Sequence, residues 1–215
     1  MNTDLRSPYR LKLASTPAQQ AELRRFIQNA YQREFAARIP HFLPLLAGLY
    51  NADNTLIAAC GLNPASQGRL YLEHYLEQTI ESLLRQKFGT PVRRDTIFEV
   101  GNLAADTAGA GRLMFAALVQ LLRENAQDWV VFTGTIKLRN SFRHLHLKPV
   151  ELVEARADKI GSDASDWGSY YHCRPWVMAG DLQQGHQVLT QNSLLLSLFG
   201  PMPAVPVASA MRAAS

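Results

Sequence analysis

At 215 residues, 47% of them hydrophobic and 19% charged, the chain has the make-up of one large globular domain able to bury a full core. Its formal charge of +4 is spread along the sequence and not gathered into the dense basic stripe of a nucleic-acid binder, so nucleic acid is not an expected partner. Cys60 and Cys173 lie far apart and outside any C-x-x-C pattern, which argues against a disulfide framework and a zinc site, so no metal is expected.

Met1–Arg10 lacks the apolar h-region of a signal peptide, and no apolar run approaches the ~18 residues that span a bilayer, which predicts a cytoplasmic protein without a transmembrane segment. Tyr9–Ala14 reads as a first strand. A helix from Pro17 to about Tyr31 follows, capped by Thr16, with Leu23, Phe26, Ile27 and Ala30 at helical spacing. Leu45–Tyr50 and Thr55–Leu62 flank a hairpin turn at Asn51–Asn54. Arg69–Leu76 is undecided between helix and strand, and Gln78–Phe88 reads as a helix stopped by Gly89 and Pro91. Thr96–Ala104, Ala110–Asn125 and Trp129–Thr133 form a strand, helix and strand, a βαβ unit that favours parallel pairing. Lys137–Leu145 is a short helix, and Val150–Ala155 and Ser169–Ala179 are closing strands. Residues 1–200 are expected to form one domain. Residues 201–215, with Pro201, Pro203 and Pro206 among small residues, are expected to be a disordered tail.

The chemistry concentrates in the turn from Phe98 to Arg112. Alternation along Phe98–Ala104 puts Glu99, Gly101 and Leu103 on one face. A carboxylate inside an apolar strand is costly to bury, and burial raises its pKa toward the range of a general base. The helix then opens with Gly109, Ala110, Gly111 and Arg112, whose unpaired first-turn N–H groups and cation suit phosphates. A dinucleotide fold would need a third glycine where Met114 stands, and an acid at the end of the next strand, which here reads Thr133-Gly134-Thr135. Glu99 could instead pair structurally with Arg93, Arg94 or Arg143, and Asn102 could bond backbone groups at the strand end.

The loop Asp106-x-x-Gly109-x-Gly111 resembles the coenzyme-A loop of the GNAT acyltransferase superfamily, with aspartate in place of its first Arg or Gln. Leu138–Leu147 resembles a second GNAT signature, in which Phe142 falls where many members carry a tyrosine that protonates the leaving thiolate. More broadly, the chain resembles the bacterial thermostable hemolysin (delta-hemolysin) family. The resemblance rests on Ile39–Pro44, Leu72–Leu76, Glu99–Ala104, Phe132–Thr135 with Leu138–Phe142, and Trp167–Tyr171. That family is similar in outline to GNAT proteins and to acyl-homoserine-lactone synthases, whose Glu-x-x-Arg corresponds to Glu99 and Asn102 here.

The resemblance implies an α/β (α+β), GNAT-like fold with a mixed, mostly antiparallel sheet, flanking helices and a central βαβ acyl-CoA-binding unit. It implies transfer of an acyl group from acyl-CoA, or from the phosphopantetheine of an acyl-carrier protein, to a small-molecule amine by direct attack. Glu99 and Asn102 would be catalytic. The cofactor contacts would come from Leu103, Ala104, Gly109, Ala110, Gly111, Arg112, Asn140 and Arg143. Two other readings stand beside it: a non-catalytic acyl-thioester-binding domain, and a membrane-active hemolysin. The second would use Val188–Phe199 for peripheral membrane contact, a segment that otherwise docks on the domain or on a second subunit.

Overall fold

A seven-stranded sheet organises the computed structural model, which describes residues 7–192 and 194–206; the expectations for Met1–Arg6 and for residues 207–215 lie outside the described residues. The strands are β1 (Arg10–Leu13), β2 (Leu45–Tyr50), β3 (Leu56–Pro64), β4 (Ile97–Ala105), β5 (Trp129–Gly134), β6 (Val150–Glu154) and β7 (Trp176–Asp181). They stand in the order β1-β2-β3-β4-β5-β7-β6, and every neighbouring pair is antiparallel except β4 and β5. The sheet is therefore mixed and mostly antiparallel, as the resemblance implies. Five helices flank it: α1 (Pro17–Phe35), α2 (Ile80–Phe88), α3 (Ala108–Glu124), α4 (Ile136–His144) and α5 (Leu182–Asn192).

Local signals account for most boundaries. Thr16 accepts the Gln19 N–H while the Gln19 side chain accepts the Thr16 N–H, a reciprocal cap that starts α1 ahead of Pro17. Gly89 takes a φ of 69° and ends α2, a conformation that disfavours a Cβ. The β4–α3–β5 crossover makes the single parallel pair, because a helix must carry the chain back to the same end of the sheet. Alternation along β4 sends Phe98 and Val100 into a core with Met114 and Leu118 of α3. Ile97 faces the other way, toward Leu72 and Leu84, and Ala104 packs in that layer with Leu23 and Ile27 of α1.

Two expectations are corrected, and a third segment takes one of the two places foreseen for it, docked on the domain. Ser169–Ala179 is not one strand: Tyr170–Cys173 form a 3-10 helix, Arg174 turns left-handed at φ 45°, and β7 starts only after Pro175, which has no N–H to give a ladder. Val188–Phe199 divides between α5 and a 3-10 helix at Leu195–Leu198. Leu189 and Phe199 are buried in the core beside α3, although Leu194 is 83% exposed. No helix among the described residues is long and apolar enough to cross a membrane. Finally, residues 201–206 are held and not loose. Val205 is buried, its N–H donates to Asn125 Oδ1 at 2.8 Å, and Asn125 Nδ2 donates to the Pro203 carbonyl at 3.2 Å.

Candidate active site

The site begins where two strands part. β4 pairs with β5 only through Ile97–Val100 against Trp129–Phe132, yet β4 runs on to Ala105 and β5 to Gly134. From Gly101 onward the β5-facing edge of β4 has no ladder partner, and an open wedge lies between the strands. On its other edge β4 carries a bulge: Ala104 pairs with Ala59 and Gly101 with Gly61, so Asn102 and Leu103 together oppose Cys60. Asn102 sits at the bulge with φ 50°, a left-handed geometry that asparagine tolerates better than most side chains.

That bulge is strapped by the segment before β2. Asn102 Oδ1 accepts the Leu43 N–H at 2.9 Å, and its Nδ2 donates to the His41 carbonyl at 3.1 Å. The fit leaves no room on the facing strand, since a Cβ at Gly61 would stand 2.7 Å from Asn102 Oδ1 and 2.8 Å from Leu43 Cβ. This accounts for Ile39–Pro44, one of the stretches that carry the family resemblance. Of the two roles the sequence leaves open for Asn102, its amide fills the backbone-bonding one, taken up at both ends by backbone groups, while the residue also lines the cavity that passes through the wedge.

Glu99 projects from β4 on the α1 side and is 4% exposed. Its carboxyl accepts the N–H groups of Leu72 and Tyr71 at 2.8 Å each and the Asn63 side-chain amide at 3.3 Å. None of the anticipated arginines pairs with it. Arg93 pairs with Asp95, Arg94 pairs with Glu73 and Glu81, and no ion pair joins Arg143 to Glu99. Burial pushes the Glu99 carboxyl up to about 7, against the pull of the two backbone donors and Asn63, with the nearby Glu73 charge adding to the rise.

Glu73 lies in Leu72–Leu76, another of the stretches that carry the family resemblance. It accepts from Leu70 N at 2.9 Å and Ile80 N at 3.0 Å, and from Arg94 at 2.7 and 2.9 Å. Burial works to raise its carboxyl, but Arg94 and those two N–H groups outweigh it and hold the group at about 2. The brace fixes the 3-10 helix Tyr71–Tyr75, whose first N–H groups are the donors that hold Glu99. Trp167–Tyr171 has a similar supporting part. A Cβ at Gly168 would fall 2.1 Å from the Phe35 carbonyl, and the Ser169 N–H caps that same carbonyl at 2.8 Å, seating Trp167 and Tyr170 against Tyr31.

A cavity of about 950 Å³ passes through the wedge and reaches both faces of the sheet. On the α1 face it meets Glu99, His41 and Tyr71; on the α3 face it meets Phe115, Phe132 and Phe142. Among the anticipated cofactor residues, Leu103, Gly111, Arg112 and Asn140 line it. Ala104, Gly109, Ala110 and Arg143 are not on its wall. Ala104 is buried in the α1-side core, and the Ala110 N–H is taken by the capping Thr107 hydroxyl at 3.1 Å. The Gly111 N–H returns to the Thr107 carbonyl, which leaves the N–H groups of Ala108 and Gly109 without a protein partner among the described residues. Phe142 packs between Phe115 and Phe132 at ring separations of 4.6 and 5.2 Å and offers no proton. No group of three or more metal-ligating side chains gathers among the described residues.

A family model described as "Thermostable hemolysin" matches residues 13–186. No curated protein matches the sequence. Solved structures with the same fold include FeeM, an N-acyl amino acid synthase from uncultured soil microbes, at 16% identity and a TM-score of 0.57 over 89% of this chain and 98% of that one. They also include BjaI, a CoA-dependent acyl-homoserine lactone synthase with SAM and isopentyl-CoA, at 12% identity and a TM-score of 0.58 over 92% and 94%. The acyl-homoserine-lactone synthase LasI matches at 10% identity and a TM-score of 0.58 over 87% and 98%. At these identities the likeness is one of fold.

Proposed function

The chain belongs to the thermostable hemolysin family, and from that premise we propose that it is an N-acyltransferase moving an acyl group from a thioester donor to an amine. The observation that carries the reading is Glu99: a buried carboxyl poised near 7, on the wall of a cavity that opens where β4 and β5 separate. The fold shared with FeeM, BjaI and LasI supports the same chemistry.

In this reading the pantetheine arm of acyl-CoA or of an acyl-carrier protein lies in the wedge and pairs with the free edge of β4 beyond Val100. Its phosphates meet the Ala108 N–H and the Arg112 guanidinium, both of which line the cavity. The acceptor enters from the α1 face as an ammonium, and Glu99 takes one proton from it, directly or through a water. The freed nitrogen attacks the thioester carbonyl carbon, and a bulge N–H at Leu103 steadies the oxyanion, an effect worth about 3 kcal/mol in well-studied sites. As the C–S bond breaks, the second nitrogen proton passes to sulfur, since Phe142 has none to give. The products are an amide and a free thiol.

Phe142 also favours a second reading, an acyl-thioester-binding domain without turnover. The two separate in one experiment on the purified protein, pairing thermal stabilisation by acyl-CoAs with thiol release across a panel of amines. Stabilisation with amine-dependent thiol release supports the transferase, stabilisation without release supports the binding domain, and neither result would remove both.

A further inference from the structure

Arg94 stands in a 3-10 turn, Arg94–Thr96, directly ahead of β4. An arginine side chain has five N–H groups, and here every one has a partner. Nε donates to the Ala65 carbonyl at 3.0 Å, and Nη1 donates to Glu73 and to Glu81 at 2.7 Å each. Nη2 donates to the Gly68 carbonyl at 2.6 Å and to Glu73 at 2.9 Å. One side chain thereby ties together the loop that follows β3, the 3-10 helix Tyr71–Tyr75 and the first turn of α2. Its neighbour Arg93 is exposed and pairs with Asp95, two residues away.

Arg94, Glu73 and Glu81 all lie off the cavity wall. What they hold reaches it. Glu73 takes the Leu70 N–H, and the next two N–H groups, those of Tyr71 and Leu72, are the donors on Glu99. Glu73 and Glu81 both lie below the usual carboxylate range in spite of burial, with Arg94 among the causes. The three side chains therefore carry one net negative charge, and without Arg94 they would carry two. The Glu73 charge already bears on Glu99. Nothing else around Glu99 offsets it. Asn63 on β3 and Val131 on β5 are uncharged, and burial raises the Tyr71 phenol. Elsewhere on the cavity wall His41 is paired with Asp163, and Lys137 with Glu34.

We propose that Arg94, although outside the cavity, is a positioning residue for Glu99: it locks the turn that supplies the two backbone donors, and its charge limits the repulsion that Glu73 exerts on the Glu99 carboxylate. The inference rests on the reading of Glu99 as the base and names the residue that tunes it. Removing Arg94 then acts on Glu99 in the opposite direction to removing Glu73. Mere loosening of the turn would admit water to Glu99 and favour its carboxylate, so the direction of the change separates tuning from bracing.

The test labels the glutamate carboxyl groups with carbon-13 and follows their NMR signals across pH 4–9, Glu99 being the signal missing from Glu99→Gln. Wild-type Glu99 is expected to titrate at about 7. In Arg94→Met it should titrate about one pH unit higher, the scale of a nearby uncompensated like charge. Glu73→Gln combined with Arg94→Met removes both charges and should reverse at least half of that change. Arg94→Lys keeps the charge without the planar fork and should move the midpoint less than half as far. If Arg94→Met does not fold, Arg94→Gln, whose amide can still donate to the Ala65 or Gly68 carbonyl, carries the same comparison. A folded Met or Gln variant with the Glu99 midpoint unchanged or lower overturns the inference and leaves Glu99 as the base. A rise that persists undiminished in the double variant, or is equalled in Arg94→Lys, also overturns it, since the charge would then play no part. A wild-type Glu99 that does not titrate across this range removes the base reading, and the inference with it.

Discussion

Glu73 and Glu99, both buried, accept hydrogen bonds from the same short helical turn, yet their carboxyls are held at about 2 and about 7. The difference lies in the partners. Glu73 has the Arg94 guanidinium as well as two backbone donors, whereas Glu99 has only neutral donors and the repulsion of Glu73 beside it. One carboxylate is thereby fixed as a permanent anion that braces the turn, and the other is left able to exchange a proton near neutrality.

Glu99→Gln is expected to lower acyl transfer by about 10²–10⁴-fold, the usual contribution of a positioned base. In the wild type, kcat/KM should rise with pH through a limb near 7, because the active form is the carboxylate. The stability effect has the opposite sign. A carboxyl raised in the folded state favours folding below its unfolded pKa, and that contribution is lost as pH rises through about 7. Melting curves of wild type and variant across pH 4–9 check this, and a variant as active as wild type would remove Glu99 from the chemistry.

Glu73→Gln should destabilise the fold by about 2–3 kcal/mol, the scale of hydrogen bonds to a charged partner. Glu73 is depressed, so its contribution is present above the unfolded pKa and disappears as pH falls toward about 2. The variant should therefore show a flatter loss of stability in acid. It should also move the activity limb of Glu99 to lower pH, since the Glu73 charge helps hold Glu99 up. A limb that stays in place while stability falls would restrict Glu73 to a purely structural part.

Asn102→Ala leaves the buried Leu43 N–H without an acceptor and puts a Cβ-bearing residue with no compensating bond at φ 50°. A cost of about 2–4 kcal/mol is expected from the orphaned donor and the left-handed backbone together. Asn102→Gly should recover the backbone part, about 1–2 kcal/mol, and not the rest. Urea denaturation of the three proteins measures both steps.

Phe142→Tyr places a hydroxyl where Phe115 and Phe132 meet the cavity. Turnover should rise, by up to about 100-fold if departure of the thiolate limits the rate, at a stability cost of about 1 kcal/mol for a poorly paired hydroxyl. Stopped-flow thiol release reads the first effect and thermal melting the second.

Removal of the chain after Gly200 should cost about 2 kcal/mol, mainly from exposing the pocket that Val205 fills. Denaturant unfolding of the shortened protein checks it, and an unchanged midpoint would mean that residues 201–206 contribute nothing to the fold.

Much of the architecture is legible in the sequence because its causes are local. The Thr16–Gln19 cap, the Gly89 stop, the helical spacing of Leu23 and Ile27 and the strand–helix–strand run from Ile97 to Gly134 all act within a few residues. Glu99 was also recognisable, since a lone carboxylate in an apolar strand has to be explained. What it would touch was not. Its donors, Tyr71 and Leu72, lie in the stretch left undecided between helix and strand, and the arginines that seemed natural partners are claimed by Asp95, Glu73 and Glu81. Asn102 reads as a ligand residue from its place in the motif, and only the packing of Leu43 and His41 against the bulge makes it a strut. Pro201–Pro206 resembles a tail in composition, but Asn125 and the core hold it. Caps, turns and periodicity come from the short-range conformational preferences of neighbouring residues, which the sequence determines by itself. Which N–H reaches Glu99, and where β4 and β5 part, depends on strand register and on contacts between distant segments, and these were decided only when the tertiary structure brought those segments together.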